Sequence, residues 1–187
     1  MTRIIAGTAG GRRISAPEGR NTRPTSDRTR EALFSSVSSD LGSLQGLRVM
    51  DLYAGSGAIG LEALSRGADH ALLVEADRRA AQVVRSNIAA LRLPGARLVA
   101  DRVERVVARE NSGEPYDLVV ADPPYSVTEE EVAAVLGDLL ARGWLAPDPL
   151  VVVERSKRSP EPAWPDGLAA DRRRVYGEAA LWYARRP

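Results

Sequence analysis

A glycine-rich turn between an apolar strand and a helix constrains the fold of this chain more than any other feature of its sequence. The mainly apolar residues 49–53 lead into Gly55 and Gly57, and a helix-period apolar pattern follows over residues 58–66. Glycine allows positive φ and close approach of a ligand to the backbone, while the opening helix directs its N–H groups and its dipole at that ligand. The unit predicts a ligand-binding turn at the end of a buried strand.

Three acidic residues lie in or just after three successive predicted strands. Glu75 stands 20 residues after Gly55, at the distance where an acid accepts both hydroxyls of a ribose. Asp51 lies beside the position of a dinucleotide pyrophosphate, so it favours a cationic ligand such as S-adenosylmethionine over a nicotinamide cofactor. Asp101 is placed to accept an adenine amino group. Each acid alone could cap the following helix, but three beside one glycine turn favour a bound ligand.

A second motif, Asp122-Pro123-Pro124-Tyr125, follows the apolar run 118–121. The two prolines hold the turn rigid. The Asp122 carboxylate and the Pro123 carbonyl can each accept one N–H of an amino group, and Tyr125 can stack on a flat ring. The motif alone is equally compatible with a rigid loop in which Asp122 caps a turn. The glycine turn upstream favours the other interpretation, a clamp for an amino-bearing ring.

Strand and helix patterns alternate along the chain, which predicts an α/β fold with a parallel sheet covered by helices on both faces. The predicted strands are 48–53, 71–75, 96–100, 117–121 and 150–154, and the predicted helices are 27–38, 58–66, 77–91, 102–110 and 128–142. The pattern over 172–176 and 179–184 predicts a final antiparallel hairpin. At the other end, the short runs 3–6 and 12–16 flank glycines and predict an N-terminal hairpin.

Composition excludes several classes of protein. The 187 residues include no cysteine, which excludes a disulfide framework and a thiol nucleophile. The single histidine, His70, is predicted to lie in a loop, and no metal site is predicted. No signal-peptide pattern and no apolar run near the ~20 residues of a membrane span is present. We therefore expect a cytoplasmic protein without membrane association.

Positive charge is concentrated at the two ends of the chain. Residues 1–30 hold seven arginines against two acidic residues, and residues 155–187 hold eight basic residues against four acidic ones. Basic ends around an acidic middle fit a protein that holds a nucleic-acid backbone. We expect residues 1–20 to form a hairpin extension that binds RNA, beside a catalytic domain over residues 21–187. The predicted RNA contacts are Arg3, Arg12, Arg13, Arg23, Arg28 and Arg30.

The two motifs together resemble the class I S-adenosylmethionine-dependent methyltransferases that methylate exocyclic amines of nucleobases. Residues 3–14 and 22–34 are similar to the N-terminal signature of the bacterial 16S rRNA guanine-N2 methyltransferase family. The similarity extends from Arg3 to the final strand. Phe is also common at the position of Tyr125 in that family, so Tyr125 is an ordinary variant.

This resemblance implies a Rossmann-like methyltransferase fold, in which a mostly parallel seven-stranded sheet carries an antiparallel last strand. It implies S-adenosylmethionine as cofactor and methyl transfer to N2 of a guanine in 16S rRNA, within an assembled or partly assembled 30S particle. We expect a monomer. Catalysis is assigned to Asp122, Pro123 and Tyr125. Cofactor binding is assigned to Asp51, Tyr53, Ala54, Gly55, Ser56, Gly57, Glu75, Ala76, Asp101, Arg102 and Asp122.

Two alternatives remain open at the level of the sequence. One is an amino methyltransferase that acts on DNA adenine or on a protein glutamine, and the lack of a separate target-recognition domain argues against DNA. The other is a nucleic-acid-binding module that keeps the fold without catalysis. The complete set of acidic and glycine residues argues against that second alternative.

Overall fold

A single mixed sheet with helices on both faces organises the chain. The computed structural model describes residues 2–19 and 25–187. In chain order its elements are β1 (Thr2–Arg3), β2 (Arg13–Ile14), α1 (Asp27–Leu41), β3 (Arg48–Leu52), α2 (Ala58–Ser65), β4 (His70–Val74), α3 (Arg78–Leu91), β5 (Ala96–Val99), α4 (Val103–Val107), β6 (Tyr116–Ala121), α5 (Glu129–Ala141), β7 (Leu145–Ser156), β8 (Ala169–Tyr176) and β9 (Ala179–Arg185). None of the helices in these described ranges has the length and apolar character that crossing a membrane requires.

The main sheet has seven strands in the spatial order β5-β4-β3-β6-β7-β9-β8. The strands from β5 to β7 are parallel, whereas β9 is antiparallel to both β7 and β8. β1 and β2 form a separate two-stranded antiparallel sheet. The architecture confirms the predicted fold class, including the reversed final strand.

The largest difference from the predicted elements is at β7, which begins at Leu145 rather than at residue 150. Pro147 and Pro149 give this stretch the appearance of a loop in the sequence. The pairing with β6 shifts register between Tyr116 and Leu118, and an irregularity of this kind accommodates prolines that cannot donate to a ladder.

Successive residues of the central strands pack on opposite faces of the sheet, as β geometry requires. In β3, Val49 packs against the side that holds α1, α2 and α3. Its neighbour Met50 packs against the side that holds α4 and α5. Asp51 is on the same face as Val49 and is almost completely buried. The sheet therefore delivers one carboxylate into the core directly below the glycine turn.

The N-terminal hairpin packs into the hydrophobic core on the face of the sheet that holds α1 and α2, and its role as an RNA-binding extension stays a prediction. Ile4, Ala9 and Ile14 are buried in the same cluster as α1 and α2. The backbone amides of residues 5 and 6 donate to the buried carboxylate of Glu62 at 2.8 and 3.0 Å. The short strands of the hairpin cannot form a hydrophobic core by themselves. The hairpin therefore depends on packing against the rest of the protein. The predicted boundary at residues 20 and 21 lies outside the described residues.

Candidate active site

A cleft of about 1430 Å³ runs along the carboxyl ends of the parallel strands. This edge of the sheet is where ligands bind in open α/β folds, because the strand-to-helix turns converge there. Most of the predicted cofactor residues line it, and so do the predicted catalytic residues. The cleft-lining members of the predicted set are Asp51, Tyr53, Ala54, Gly55, Ser56, Glu75, Ala76, Arg102, Asp122, Pro123 and Tyr125.

The glycine turn uses its two glycines for different purposes. Both have positive φ, 61° at Gly55 and 80° at Gly57. A Cβ on Gly57 would lie 2.9 Å from Leu73 Cδ2, so this glycine lets α2 pack on the sheet. A Cβ on Gly55 would meet nothing within 4 Å, so its backbone is open toward the cleft. Gly57 therefore serves packing, whereas Gly55 is the glycine that a ligand can approach.

Glu75 follows β4 and is held by two backbone amides. The amide of Gly55 donates to its Oε2 at 2.7 Å, and the amide of Asp77 donates to its Oε1 at 2.8 Å. Asp77 in turn caps α3 by accepting from the amide of Ala80 at 2.8 Å. These bonds fix the Glu75 carboxylate on the wall of the cleft, next to the glycine turn.

Asp51 supports the turn from below. Its Oδ2 accepts a hydrogen bond from the backbone amide of Gly60 at 2.9 Å in the first turn of α2. The pKa of Asp51 is raised to about 8, mainly by burial and to a smaller extent by the nearby Asp122 and Glu75, while the hydrogen bond from Gly60 lowers it. Asp51 is therefore mainly protonated near neutral pH, and the negative potential at this edge of the cleft comes from Glu75 and Asp122. Such a potential favours a ligand that carries positive charge.

Asp122 follows β6 and lies beside a second carboxylate, that of Glu154. The hydroxyl of Thr25 is 3.0 Å from Asp122 Oδ2 and 3.3 Å from Glu154 Oε2. The pKa of Asp122 is raised to about 6, because the effect of burial exceeds the lowering effects of the hydrogen bond from Thr25 and the charge of Arg155. Asp122 is thus positioned as an acceptor at the end of the central strand, with a pKa close to neutrality.

The loop that carries the two prolines is fixed by Arg155. The Arg155 side chain is buried and donates to the carbonyl of Val127 at 3.0 Å and to Glu129 at 2.7 Å. Pro123, at the start of this loop, is buried. Tyr125 lies on its outer side with 69% of its surface exposed. The arrangement gives a rigid backbone beneath an accessible aromatic ring.

Asp101 lies just after β5, as the sequence predicted, but apart from the other predicted cofactor residues. It does not belong to the lining of the cleft, and its carboxylate pairs with Arg109 at 3.3 Å and Arg105 at 3.7 Å. The adjacent Arg102 and the nearby Glu104 line the cleft instead. The geometry therefore gives no support to Asp101 as the acceptor for an adenine amino group, because local arginines already neutralise it.

Glu104 accepts a hydrogen bond from the hydroxyl of Tyr53 at 3.1 Å. Burial, followed by the charge of Glu104, raises the pKa of Tyr53. This bond connects the end of β3 to α4 across the cleft.

Arg30 does not lie on an RNA-facing surface, contrary to the prediction. Its side chain is fully buried, donates to the carbonyl of Arg3, and pairs with Asp27 at 3.1 Å and with Glu62 at 3.7 Å. A guanidinium buried among these partners cannot reach a phosphate. Arg30 instead connects the hairpin to α1 and α2.

The other predicted RNA contacts differ in accessibility. Arg12 donates to the carbonyls of Ala90 and Leu91 at the end of α3, at 2.5 and 3.0 Å, so it has a structural role there. Arg3 is exposed and pairs with Asp27 at 3.6 Å. The remaining two described residues, Arg13 and Arg28, are exposed, and Arg23 lies outside the described residues.

Sequence reasoning missed Thr25, Glu154 and Arg155. Glu154 could have been found, because it is the polar residue at the predicted end of a strand, in the position that singled out Asp122. Thr25 and Arg155 gave no comparable signal, since their roles depend on partners distant in sequence. No group of acidic and histidine side chains suited to a metal ion occurs in residues 2–19 and 25–187.

Comparison with known proteins identifies the family of the chain. The model of the family described as Conserved hypothetical protein 95 matches residues 2–185. "Ribosomal RNA small subunit methyltransferase D" of Escherichia coli K12 is 38% identical over 179 residues, which cover 95% of this chain and 86% of the relative. "Putative rRNA methyltransferase YlbH" of Bacillus subtilis is 34% identical and covers 94% of both chains.

Structural comparison agrees. The solved structure titled "Putative methyltransferase yhhF from Escherichia coli" superposes with a TM-score of 0.87 at 34% identity and covers 99% of this chain and 97% of that chain. Because a family model matches nearly the whole chain and relatives above 30% identity do so as well, the chain belongs to the Conserved hypothetical protein 95 family, together with the ribosomal RNA small subunit methyltransferases D.

Proposed function

We propose that this protein transfers a methyl group from S-adenosylmethionine to the exocyclic N2 of a guanine in 16S rRNA. The observation that carries the proposal is the placement of Asp122 and Pro123 in one cleft with the glycine turn and Glu75. Direct transfer of a methyl group to an amine requires that the residues holding the amine lie next to the turn that binds the cofactor. Here the two groups of residues lie at adjacent strand ends. The sequence similarity to ribosomal RNA methyltransferases indicates that the nucleic acid is ribosomal RNA.

The residues around the glycine turn fit S-adenosylmethionine. The open face of Gly55 permits backbone approach, and the carboxylate of Glu75 is suited to ribose hydroxyls. The negative potential of Glu75 and Asp122 suits the positively charged methionine portion and disfavours a pyrophosphate. When bound, this cofactor supplies a methyl group on a positively charged sulfur, so no metal is required to activate the leaving group.

The protein contributes orientation and hydrogen bonding at the acceptor nitrogen. The Asp122 carboxylate and the Pro123 carbonyl accept the two hydrogens of the guanine amino group, which draws the nitrogen lone pair out of ring conjugation. Tyr125 provides a face for the base once it has left its stack. Holding two reactants in order can contribute about 7–11 kcal/mol. After the N–C bond forms, the nitrogen is acidic, and Asp122 is positioned to take its proton.

The proposed substrate is an assembled or partly assembled 30S particle, and the proposed acting species is a monomer in the cytoplasm, where ribosomal RNA is found in bacteria. Exposed Arg3, Arg13 and Arg28 are proposed to contact phosphates beside the target. Methylation of DNA or of a protein would need a different recognition surface, and no observation in the described residues favours one.

The deciding experiment combines transfer with identification of the product. Purified protein is incubated with S-adenosylmethionine and with 30S particles from a strain that lacks the enzyme, and the rRNA nucleosides are analysed by mass spectrometry. We expect one N2-methylguanosine per particle. Methyl transfer only to adenine, to protein or to DNA would contradict the proposal, as would the absence of any transfer.

A further inference from the structure

A second carboxylate, Glu154, lies beside the amino clamp and has no part in the transfer step described above. β6 and β7 are parallel with Ala121 opposite Val153, so the next residue on each strand is again a neighbour. Asp122, directly after β6, therefore lies next to Glu154 of β7 on the same face of the sheet. Both line the cleft, and both have an oxygen within hydrogen-bonding distance of the Thr25 hydroxyl.

The alternation of side chains along β7 keeps Glu154 directed at the cleft. The next residue, Arg155, is buried and bonded to Val127 and Glu129. Because side chains alternate along a strand, Glu154 and Arg155 point to opposite faces. Thr25 then bonds Glu154 from the N-terminal side of α1. The second carboxylate is held in place by elements that also fix the first.

The chemistry of the nucleobases gives such a carboxylate a function. In guanine the N2 amino group is next to N1–H, which is a hydrogen-bond donor. In adenine the N6 amino group is next to an unprotonated N1, which is an acceptor. An ionised carboxylate can only accept. An acceptor beside an amino clamp therefore fits guanine and opposes adenine.

We propose that Glu154 selects guanine, accepting the N1–H of the base while Asp122 and Pro123 hold its N2 amino group. The inference rests on the proposed function and adds the residue that distinguishes the target base. A base with an unprotonated N1 would place a second acceptor against the Glu154 oxygen instead of a hydrogen, and a repulsive contact of this kind discriminates against the wrong base. Asp122 alone gives no such distinction, since both bases carry an amino group.

The test uses 30S particles reconstituted with 16S rRNA that carries either guanine or 2-aminopurine at the target position. The analogue 2-aminopurine retains the 2-amino group but has an unprotonated N1. Single-turnover transfer to each particle is measured for the wild-type protein, for Glu154→Gln, and for Glu110→Gln as a matched control. Glu110 is an exposed carboxylate that pairs with Arg142 and is absent from the lining of the cleft.

We expect the wild-type protein and Glu110→Gln to prefer guanine by about 10–100-fold, the range expected for one lost hydrogen bond to a charged group. Glu154→Gln should be slower on guanine by a similar factor, with unchanged affinity for S-adenosylmethionine. Its preference should largely disappear, because a glutamine amide can also donate to an unprotonated N1.

Equal wild-type rates on the two particles would overturn the inference even if the variant failed to fold. A folded Glu154→Gln protein that kept the wild-type preference would also overturn it. Absence of wild-type transfer to the guanine particle would instead contradict the proposed function, so the two failures are distinguishable.

Discussion

The backbone amide of Gly55 donates to Oε2 of Glu75 at 2.7 Å, which joins the glycine turn after β3 to the end of β4. Glu75 therefore shapes the turn as well as offering an oxygen to a ligand. Its other oxygen accepts from Asp77, the residue that caps α3. The Glu75 carboxylate thus links the ends of β3 and β4 to the start of α3 and also lines the cleft. Its replacement should therefore affect both the glycine turn and ligand binding.

Replacing Glu75 by Ala should weaken S-adenosylmethionine binding by about 1–3 kcal/mol, because the groups that bond to this carboxylate lose their hydrogen bonds. Glu75→Gln keeps one acceptor oxygen and should lose less. Isothermal titration calorimetry with both variants measures the two affinities, and thermal melting confirms that they are folded. NAD should not bind any of the three proteins. Wild-type affinity in Glu75→Ala would contradict the assigned role.

Replacing Asp122 by Ala should lower the single-turnover rate by about 10²–10³, the usual effect of removing one positioned electrostatic partner. Cofactor affinity should change little, because the interaction is made mainly in the transition state. Asp122→Asn should be milder, since its amide oxygen still accepts. If Asp122 only caps the turn, Asp122→Ala will instead melt at a lower temperature and turn over normally.

The rate of the wild-type protein should rise with pH around the Asp122 pKa of about 6. Below that pH the carboxyl is neutral and is a weaker acceptor for the amine hydrogens. Asp122→Asn has no such ionisation, so its single-turnover rate should not rise with pH in this range. Profiles from pH 5 to 8 on the same particle preparation provide the measurement, and an identical rise in both proteins would assign the ionisation to another group.

Asp51 should reduce the stability of the folded protein as pH rises. Its folded pKa of about 8 lies above the ordinary value of 3.8, so the folded state holds a proton that the unfolded state has released between these values. Stability from this group is therefore complete below about pH 4 and is lost by about pH 8. Asp51→Asn, which retains an acceptor for Gly60, should gain in melting temperature over wild type from pH 6 to pH 9. A constant difference would refute this account.

The N-terminal hairpin should be required for folding. Ile4→Ala should lower the free energy of unfolding by about 2–5 kcal/mol, the cost of a cavity at a fully buried aliphatic side chain. Deletion of residues 2–16 should be more severe, because it also strips the amide partners from Glu62. Urea unfolding measures both. A truncated protein as stable as the full chain would contradict a contribution of the hairpin to the core.

Arg13→Ala serves as the matched surface change in the hairpin. Arg13 is exposed, so its replacement should leave the urea midpoint unchanged. Binding to 30S particles should weaken, and the dependence of affinity on salt should become shallower, because one phosphate contact fewer releases fewer counterions. Unaltered affinity and salt slope would remove Arg13 from the RNA surface.

Local patterns in the sequence determined the order of strands and helices, the glycine turn and the rigid turn that begins at Asp122. Apolar periodicity and glycine or proline preferences act over a few residues, so they can be recognised without knowledge of the fold. The same patterns placed Glu75 at a strand end, where the structure has it. They also predicted the reversed final strand, because its hairpin has a local signature.

Only the tertiary structure decided which charged residues are buried and which reach the cleft. Arg30 and Arg12 look like surface arginines in the sequence, yet Arg30 is buried against Glu62 and Arg12 caps α3. Glu154 joins Asp122 because β7 pairs with β6 and Thr25 reaches both. The position of a charge depends on partners brought together by long-range packing, and no local pattern in the chain encodes that proximity.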